Sequence, residues 1–245
     1  MIFLDEQCEK LNINLNKDQI EKFKIYYNFL VEYNKSVNLT SITEKNEVCI
    51  KHFIDSLLIT KAINLKGKII DVGTGAGFPG VPLKIFNPDL DIYLLDSSEK
   101  KTKFLEKLSN LLDLKFEIIN SRSEDLANNS NYRGKFDVCV SRAVASIDIL
   151  SEICTPFLKI GGILAAFKGP SLYDELEYSN EVFSNLKSKV VNIEKFDLPC
   201  NYGTRYLAFI KKIKDTPKMY PRVYSKIKNE SDLRKTKFLK RDTCN

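Results

Sequence analysis

The short apolar run Ile69-Ile70-Asp71-Val72 leads directly into Gly73-Thr74-Gly75-Ala76-Gly77-Phe78-Pro79-Gly80. Glycine loses more conformational freedom on folding than any other residue, so glycines packed this densely beside a core strand need a compensating use. A tight turn out of a buried strand, with backbone left bare to approach a ligand, provides one. This constrains the chain toward a nucleotide-binding α/β fold.

The flanking pattern agrees. Apolar runs predict strands at 69–72, 92–95, 116–119, 138–141 and 163–167, and amphipathic stretches predict helices at 100–112, 147–158 and 173–186. That alternation is expected of parallel strands with crossover helices. Two further strands, 190–198 and 205–213, are separated only by residues 199–204, too few for a crossover helix. They read as an antiparallel hairpin turning at Asn201-Tyr202-Gly203-Thr204. Upstream, Ile20, Phe23, Tyr27, Leu30 and Val31 form one stripe of a helix at 17–35. A second helix is expected at 44–63, with Val48, Ile54, Leu57, Leu58 and Ala62 inward and Thr43 and Asn46 as capping oxygens. The reading is an α/β chain with a Rossmann-like seven-stranded, mostly parallel sheet ending in an antiparallel hairpin, the architecture of class I methyltransferases. It divides into an N-terminal helical extension (1–66), the sheet domain (67–214) and a basic C-terminal tail (215–245).

Composition removes several alternatives. Ile2-Phe3-Leu4 is followed at once by Asp5 and Glu6, and no later apolar stretch is long enough for a bilayer, so a cytoplasmic protein without membrane association is expected. The six cysteines include no CxxC pair, as for reduced thiols. His52 is the only histidine, which argues against histidine metal sites and a Ser-His-Asp hydrolase; no metal is expected. The net charge of +6 is unevenly placed. Residues 211–245 hold 12 basic and 4 acidic side chains, net +8, leaving 26 basic and 28 acidic before them, net −2. Such a tail reads equally as a polyanion-binding segment or as a solvated, partly disordered end.

Gly75, Gly77 and Gly80 also satisfy a literal GxGxxG, the dinucleotide fingerprint. The register favours the other reading: Gly73 is the first glycine to leave the strand and follows Asp71, a DxGxGxG form suited to the amino-acid end of S-adenosylmethionine. Asp96 closes the second strand, where a carboxylate can accept from two ribose hydroxyls; capping of the helix after Ser97-Ser98 is the plainer alternative, and beside the glycine loop the ribose reading is preferred. Asn120-Ser121-Arg122-Ser123-Glu124-Asp125 follows the third strand, as an adenine-recognising loop or an ordinary capped helix start. Ser141-Arg142-Ala143 ends the fourth strand, facing the reacting methyl group in this fold, with a salt bridge from Arg142 to Asp71 or Glu124 as the plainer reading. Cys200, in the only Pro-Cys pair, reads as structural.

Together Asn38-Leu39-Thr40-Ser41, His52-Phe53-Ile54-Asp55-Ser56, Asp71 through Gly80, Leu95-Asp96-Ser97, Ser141-Arg142-Ala143 and Phe167-Lys168-Gly169 resemble the RsmG family, also called GidB, of ribosomal RNA guanine-N7 methyltransferases. The resemblance extends to about Arg222. It implies S-adenosyl-L-methionine as cofactor and small-subunit (16S) ribosomal RNA, or the small ribosomal subunit particle, as partner of a monomeric enzyme. Gly73, Gly75 and Phe78 would contact the cofactor, Asp96 would hold its ribose, and Ser123 and Glu124 would flank the adenine. Arg142 would lie between cofactor and base as the catalytic residue, with Arg122 and Lys168 as RNA contacts and His52 and Asp55 at the site rim. From Val223 onward the chain departs from the family's short proline- and glycine-rich end, so no tail function is inherited. The Ser141-Arg142-Ala143-Val144 sequence differs from the Asn/Asp-Pro-Pro-aromatic loop of enzymes that methylate the adenine amine, and transfer to pyrimidine C5 would need a nucleophilic thiol. A small-molecule methyltransferase and a non-catalytic nucleotide-binding protein are the alternatives.

Overall fold

The computed structural model describes residues 1–142 and 145–242; Ala143 and Val144 of the fourth-strand motif, and Cys244, lie outside the described residues. Five helical pieces and a π-helical turn come first: α1 (Ile2–Lys10), α2 (Lys17–Asn34), α3 (Lys45–Val48), the π turn Cys49–Ile54, α4 (Asp55–Leu57) and α5 (Ile59–Ala62). The alternating region follows as β1 (Lys68–Val72), α6 (Gly80–Phe86), β2 (Asp91–Asp96), α7 (Glu99–Leu112), β3 (Glu117–Asn120) and α8 (Ser123–Leu126), then β4 (Phe136–Arg142), α9 (Ile147–Cys154) and β5 (Leu158–Lys168). The chain ends with α10 (Leu172–Glu177), α11 (Asn180–Asn185), β6 (Ser188–Asp197), β7 (Thr204–Lys212) and α12 (Tyr224–Asp242).

Among the described residues seven strands form one sheet in the order β3-β2-β1-β4-β5-β7-β6. The first five are mutually parallel, and β7 runs antiparallel to both β5 and β6. The hairpin expected at the end of the sheet is therefore present, turning through Cys200, Asn201 and Gly203 at positive φ. Reversal of the strand order beside β1 opens a crevice above the carboxyl ends of β1 and β4, where open α/β sheets bind ligands.

Two apolar layers cover the sheet. On one face Phe23, Tyr26 and Leu30 of α2 pack with Phe53 and Ile54 of the π turn and with Phe104 and Leu108 of α7. On the other, Ile147, Leu150 and Ile153 of α9 meet Leu164 and Ala166 of β5. The N-terminal helices thus share one core with the sheet.

Several boundaries differ from the sequence reading for local reasons. The first helix escaped notice because Leu4 and Cys8 are its only fully buried apolar side chains, too few to show a period. The stripe expected on α2 lacked Tyr26, which is fully buried. The helix expected at 44–63 is interrupted by the π turn and capped by Glu44, whose carboxylate accepts from Glu47 N, rather than by Thr43 or Asn46. Residues 173–186 form two short helices instead of one, and Leu111, expected inside, is half exposed. β5 begins five residues early and carries Gly161 and Gly162 into the sheet. A side chain at Gly162 would lie 3.0 Å from the carbonyls of Asp137 and Lys159.

The basic tail is neither extended nor detached. Residues 224–242 form one helix whose inward stripe carries Ile227 and Ser231, both buried, and Arg234. It is fixed to α9 by ion pairs with two buried carboxylates: Arg234 Nη2 to Asp148 Oδ2 at 2.7 Å and Arg222 Nη2 to Glu152 Oε2 at 2.7 Å. Burial alone raises the Asp148 pKa, but hydrogen bonds from Ser146, Arg234 and Ser231 more than offset it and hold the group below the ordinary carboxylate range. Removing one partner of a buried pair leaves an uncompensated charge, at a cost of about 3 to 5 kcal/mol. Arg234→Met is expected to destabilise the protein by about 3 kcal/mol, the low end because Arg234 is itself partly exposed. Urea denaturation at neutral pH measures this, and Lys237→Met, on the outer face, should stay within about 0.5 kcal/mol of the parent.

Candidate active site

The loop leaving β1 takes positive φ at Gly73 (73°), Gly75 (62°) and Gly77 (102°), a region L side chains rarely adopt. Buried Asp71 ties it down: Oδ2 accepts from Thr74 Oγ1 at 2.7 Å and from the Gly80 amide at 2.8 Å. Two of the glycines serve packing. A Cβ at Gly77 would lie 2.6 Å from Val81 Cγ2 and 2.9 Å from the Tyr26 hydroxyl, and one at Gly80 would lie 2.5 Å from Leu94 Cδ2. At Gly75 a Cβ would meet only the Gly73 carbonyl, at 3.9 Å, so the backbone there borders open space. The literal GxGxxG is thereby divided, with its last two glycines closing the core and its first lining a cavity.

That cavity, about 510 Å³, is walled by Gly73 to Ala76 and Phe78, by Asp96 and Ser97, by Ser121 to Glu124, and by Arg142. Leu39, Thr40 and His52 close it from the N-terminal segment, and Lys101 and Tyr224 reach it from α7 and α12. Nearly all the residues singled out from the sequence are therefore brought together: Gly73, Gly75, Phe78, Asp96, Arg122, Ser123, Glu124, Arg142 and His52. Lys168 and Asp55 do not line it. Lys168 Nζ is engaged by Glu175 Oε2 at 2.6 Å and by the Ala145 carbonyl at 2.8 Å, facing a second cavity. Asp55 lies behind the wall, with no exposed surface.

Asp96 is held by two backbone amides, one local and one distant. Oδ1 accepts from Ser98 N at 2.9 Å, a local turn just ahead of α7, and Oδ2 accepts from Gly75 N at 3.0 Å, tying β2 to the glycine loop. A carboxylate has about four acceptor sites, so each oxygen keeps a lone pair for a ligand. At the end of β3, Ser123 Oγ donates to Glu124 Oε2 at 2.8 Å.

Arg142 pairs with neither Asp71 nor Glu124. Its Nη1 donates to Asp55 Oδ2 at 3.0 Å and to the Lys51 carbonyl at 2.8 Å, and Nη2 lies 3.1 Å from His52 Nδ1. The guanidinium carbon sits 4.9 Å from the centroid of Phe78, a cation-π contact. His52 stacks on that ring, with centroids 4.4 Å apart, and its Nε2 is 2.9 Å from Thr40 Oγ1. Burial, reinforced by the Arg142 charge, lowers the His52 pKa to about 3, so the ring is neutral at physiological pH. Sequence periodicity missed Tyr26, whose hydroxyl donates to the Ala76 carbonyl, together with Lys101 and Tyr224. Of these, only Tyr26 carried a signal, as a second aromatic beside Tyr27.

A five-strand parallel sheet extended by an antiparallel hairpin, with a glycine loop after β1 and an acidic residue ending β2, defines a class I methyltransferase. The chain belongs to the rRNA small subunit methyltransferase G family, whose model matches residues 19–202. It is 45% identical over 222 residues to ribosomal RNA small subunit methyltransferase G of Lactobacillus johnsonii, covering 89% of this chain and 93% of that one. The same-named protein of Lachnoclostridium phytofermentans is 44% identical over 219 residues, covering 88% and 90%. Among solved structures, the tRNA (m1A58) methyltransferase TrmI of Aquifex aeolicus shares the fold at 18% identity, with a TM-score of 0.50 over 65% of this chain and 68% of that one.

Two buried groups of the site give opposite pH dependences. Burial raises the Asp71 carboxyl from 3.8 to about 7, against the hydrogen bonds from Thr74 and Gly80. Both donors point at Oδ2 and Oδ1 has no partner, so Oδ1 is the oxygen that carries the proton when the carboxyl is protonated. Between pH 4 and 7 the folded chain keeps this proton and the unfolded chain has lost it, so this contribution to stability falls as pH rises through that window. For His52 the unfolded ring takes up a proton below 6.5 that the folded ring refuses until about 3, so its contribution falls as pH is lowered. Asp71→Asn is expected to make stability rise more steeply from pH 5 to 7 than in the parent, and His52→Phe to flatten the loss from pH 6 to 4. Urea midpoints across pH 4 to 8 report both, and unchanged slopes would refute the assignments.

Proposed function

We propose that this protein transfers a methyl group from S-adenosyl-L-methionine to N7 of a guanine in small-subunit (16S) ribosomal RNA. The observation that carries the reading is the convergence of the Gly73 to Phe78 loop, Asp96, Ser123, Glu124 and Arg142 on one cavity in a chain of this family. The donor set suits the cofactor. Bare backbone at Gly73 and Gly75 would lie against its methionine part, the spare lone pairs of Asp96 would accept from the ribose hydroxyls, and Ser123 and Glu124 would border the adenine. Bound there, S-adenosylmethionine supplies an electrophilic methyl carbon on a sulfonium.

The protein's remaining task is alignment. Guanine N7 presents an in-plane lone pair and carries no proton, so no general base is needed. This accords with a histidine held neutral and fully engaged in structure. Arg142, oriented by Asp55 and the Lys51 carbonyl, sets one wall of the acceptor space, and Phe78 beneath it excludes water. Arg122, exposed at the cavity mouth, is assigned to RNA contact, and Lys168, at the second cavity with its charge shared with Glu175, to a secondary contact there. The division of labour follows the chain: residues 67–214 hold the cofactor, 1–66 brace the acceptor wall, and 215–245 add a further surface. Among the described residues no helix is long and apolar enough to cross a membrane, and no three His, Cys, Asp or Glu side chains gather as metal ligands. We place the enzyme, acting as a monomer, in the cytoplasm.

Asp96→Ala is expected to weaken S-adenosylmethionine binding at least about tenfold, because a lost charge-assisted hydrogen bond is worth about 1.5 to 3 kcal/mol. Calorimetry reads this directly, and an unaltered affinity would remove Asp96 from the ribose site. The acceptor atom is tested by methylating small-subunit rRNA with labelled donor and separating the nucleosides by mass spectrometry. The label should appear in 7-methylguanosine; label confined to N6-methyladenosine, 5-methylcytidine or a small molecule would overturn the proposal.

A further inference from the structure

Tyr224, the first residue of α12, lines two cavities at once: the one that holds the candidate active site, and a second of about 680 Å³ between α12, α10 and the start of α9. The second cavity takes Lys228 and Lys235 from the same stripe of α12. At 1.5 Å per residue, those lysines stand about 6 Å and 16 Å along the helix from Tyr224. The rotation of the helix is fixed, because Ile227 is buried and Arg234 is paired to Asp148 on α9, the helix that follows the β4 loop. Tyr224, Lys228 and Lys235 are thereby held toward the cavities, and Lys226 and Lys237 are exposed outside both.

Resting on the function proposed above, we infer that this stripe is part of the RNA site: Tyr224 stacks on a base beside the target guanine, and Lys228 and Lys235 hold phosphates of the flanking strand. Tyr224 suits this role because it is 36% exposed at the junction of the two cavities, with a ring face available to any base. Lys168, the other cation on this wall, is neutralised by Glu175. Asp174 and Asp232 also line the second cavity, so recognition rests on placed contacts rather than on bulk positive charge. Tyr224 is a positioning residue, acting on the orientation of the RNA and not on the transferred methyl.

The test uses the full chain and a small-subunit rRNA fragment, with RNA affinity, steady-state kinetics and S-adenosylmethionine affinity measured in parallel. Tyr224→Ala should weaken RNA binding and raise KM for RNA about tenfold, leaving kcat and cofactor affinity within about twofold, and Tyr224→Phe should restore the parent values. Lys228→Gln with Lys235→Gln should make the dependence of log affinity on log salt shallower by about 1.4, at about 0.7 per lost phosphate contact on a single strand. The matched pair Lys226→Gln with Lys237→Gln removes the same charge from the outer face and should change the slope by less than half as much. Equal effects of the two lysine pairs, or unchanged RNA affinity in Tyr224→Ala, would overturn the inference. Failure of the parent to methylate rRNA would count against the proposed function instead, and the RNA affinities would still decide whether the stripe binds.

Discussion

Asp55, fully buried, joins three separate parts of the chain. Its Oδ2 accepts from Arg142 at the end of β4 and its Oδ1 from Arg205 near the start of β7, at 3.0 and 2.7 Å. The carboxylate itself is delivered by the residue that follows the π turn. One anion thus fixes the N-terminal helices against two strands of the sheet. A charge without access to water is tolerated only when paired and hydrogen-bonded, which makes the geometry demanding. The orientation of Arg142 over Phe78 follows from it, and His52 stacks on the same ring with its Nε2 on Thr40, which Asn34 holds through the backbone.

The glycine loop depends on the same helices from the opposite side. Tyr26 donates to the Ala76 carbonyl and stacks on Phe78, with centroids 5.3 Å apart, while its hydroxyl occupies the space that a side chain at Gly77 would need. Asp71 and Asp96 then hold the loop through backbone amides, at Gly80 and Gly75 respectively. The glycine loop and the Arg142 side of the cavity therefore meet on aromatic side chains from α2 and the π turn. This explains why residues before the sheet are needed for a site on its carboxyl edge.

The C-terminal helix, beyond the residues that the family model matches, extends this arrangement. Arg234 on the helix satisfies Asp148, and Arg222 just ahead of it satisfies Glu152, carboxylates buried on α9 that would otherwise carry unpaired charge. Of its lysines, Lys228 and Lys235 border the second cavity, and Lys226 and Lys237 lie on the outer face. Division of one basic segment into buried pairs and exposed charges makes the helix both a structural strap and a surface beside the cavity. A truncation would confound these roles, and single outward substitutions separate them.

Much of this protein was legible in its residues. Alternating apolar runs marked the seven strands, the six-residue gap at 199–204 forced the antiparallel ending, and the positions of Gly73, Asp96 and Arg142 after their strands anticipated one site. These are local signals, because periodicity, glycine spacing and connection length act within a few residues. What the sequence could not determine were pairings between distant segments. A salt bridge from Arg142 to Asp71 or Glu124 was the plainer reading of the sequence, and only packing brought Asp55 to it, while burial raised the pKa of Asp71 to about 7. The tail likewise read as disordered or polyanion-seeking, since its charge count does not reveal that Asp148 and Glu152 lie buried opposite Arg234 and Arg222. Local chemistry decided which elements form and where ligands can bind. Tertiary structure alone decided which charges are neutralised, because Coulomb and desolvation energies depend on distance and burial in space rather than on separation along the chain.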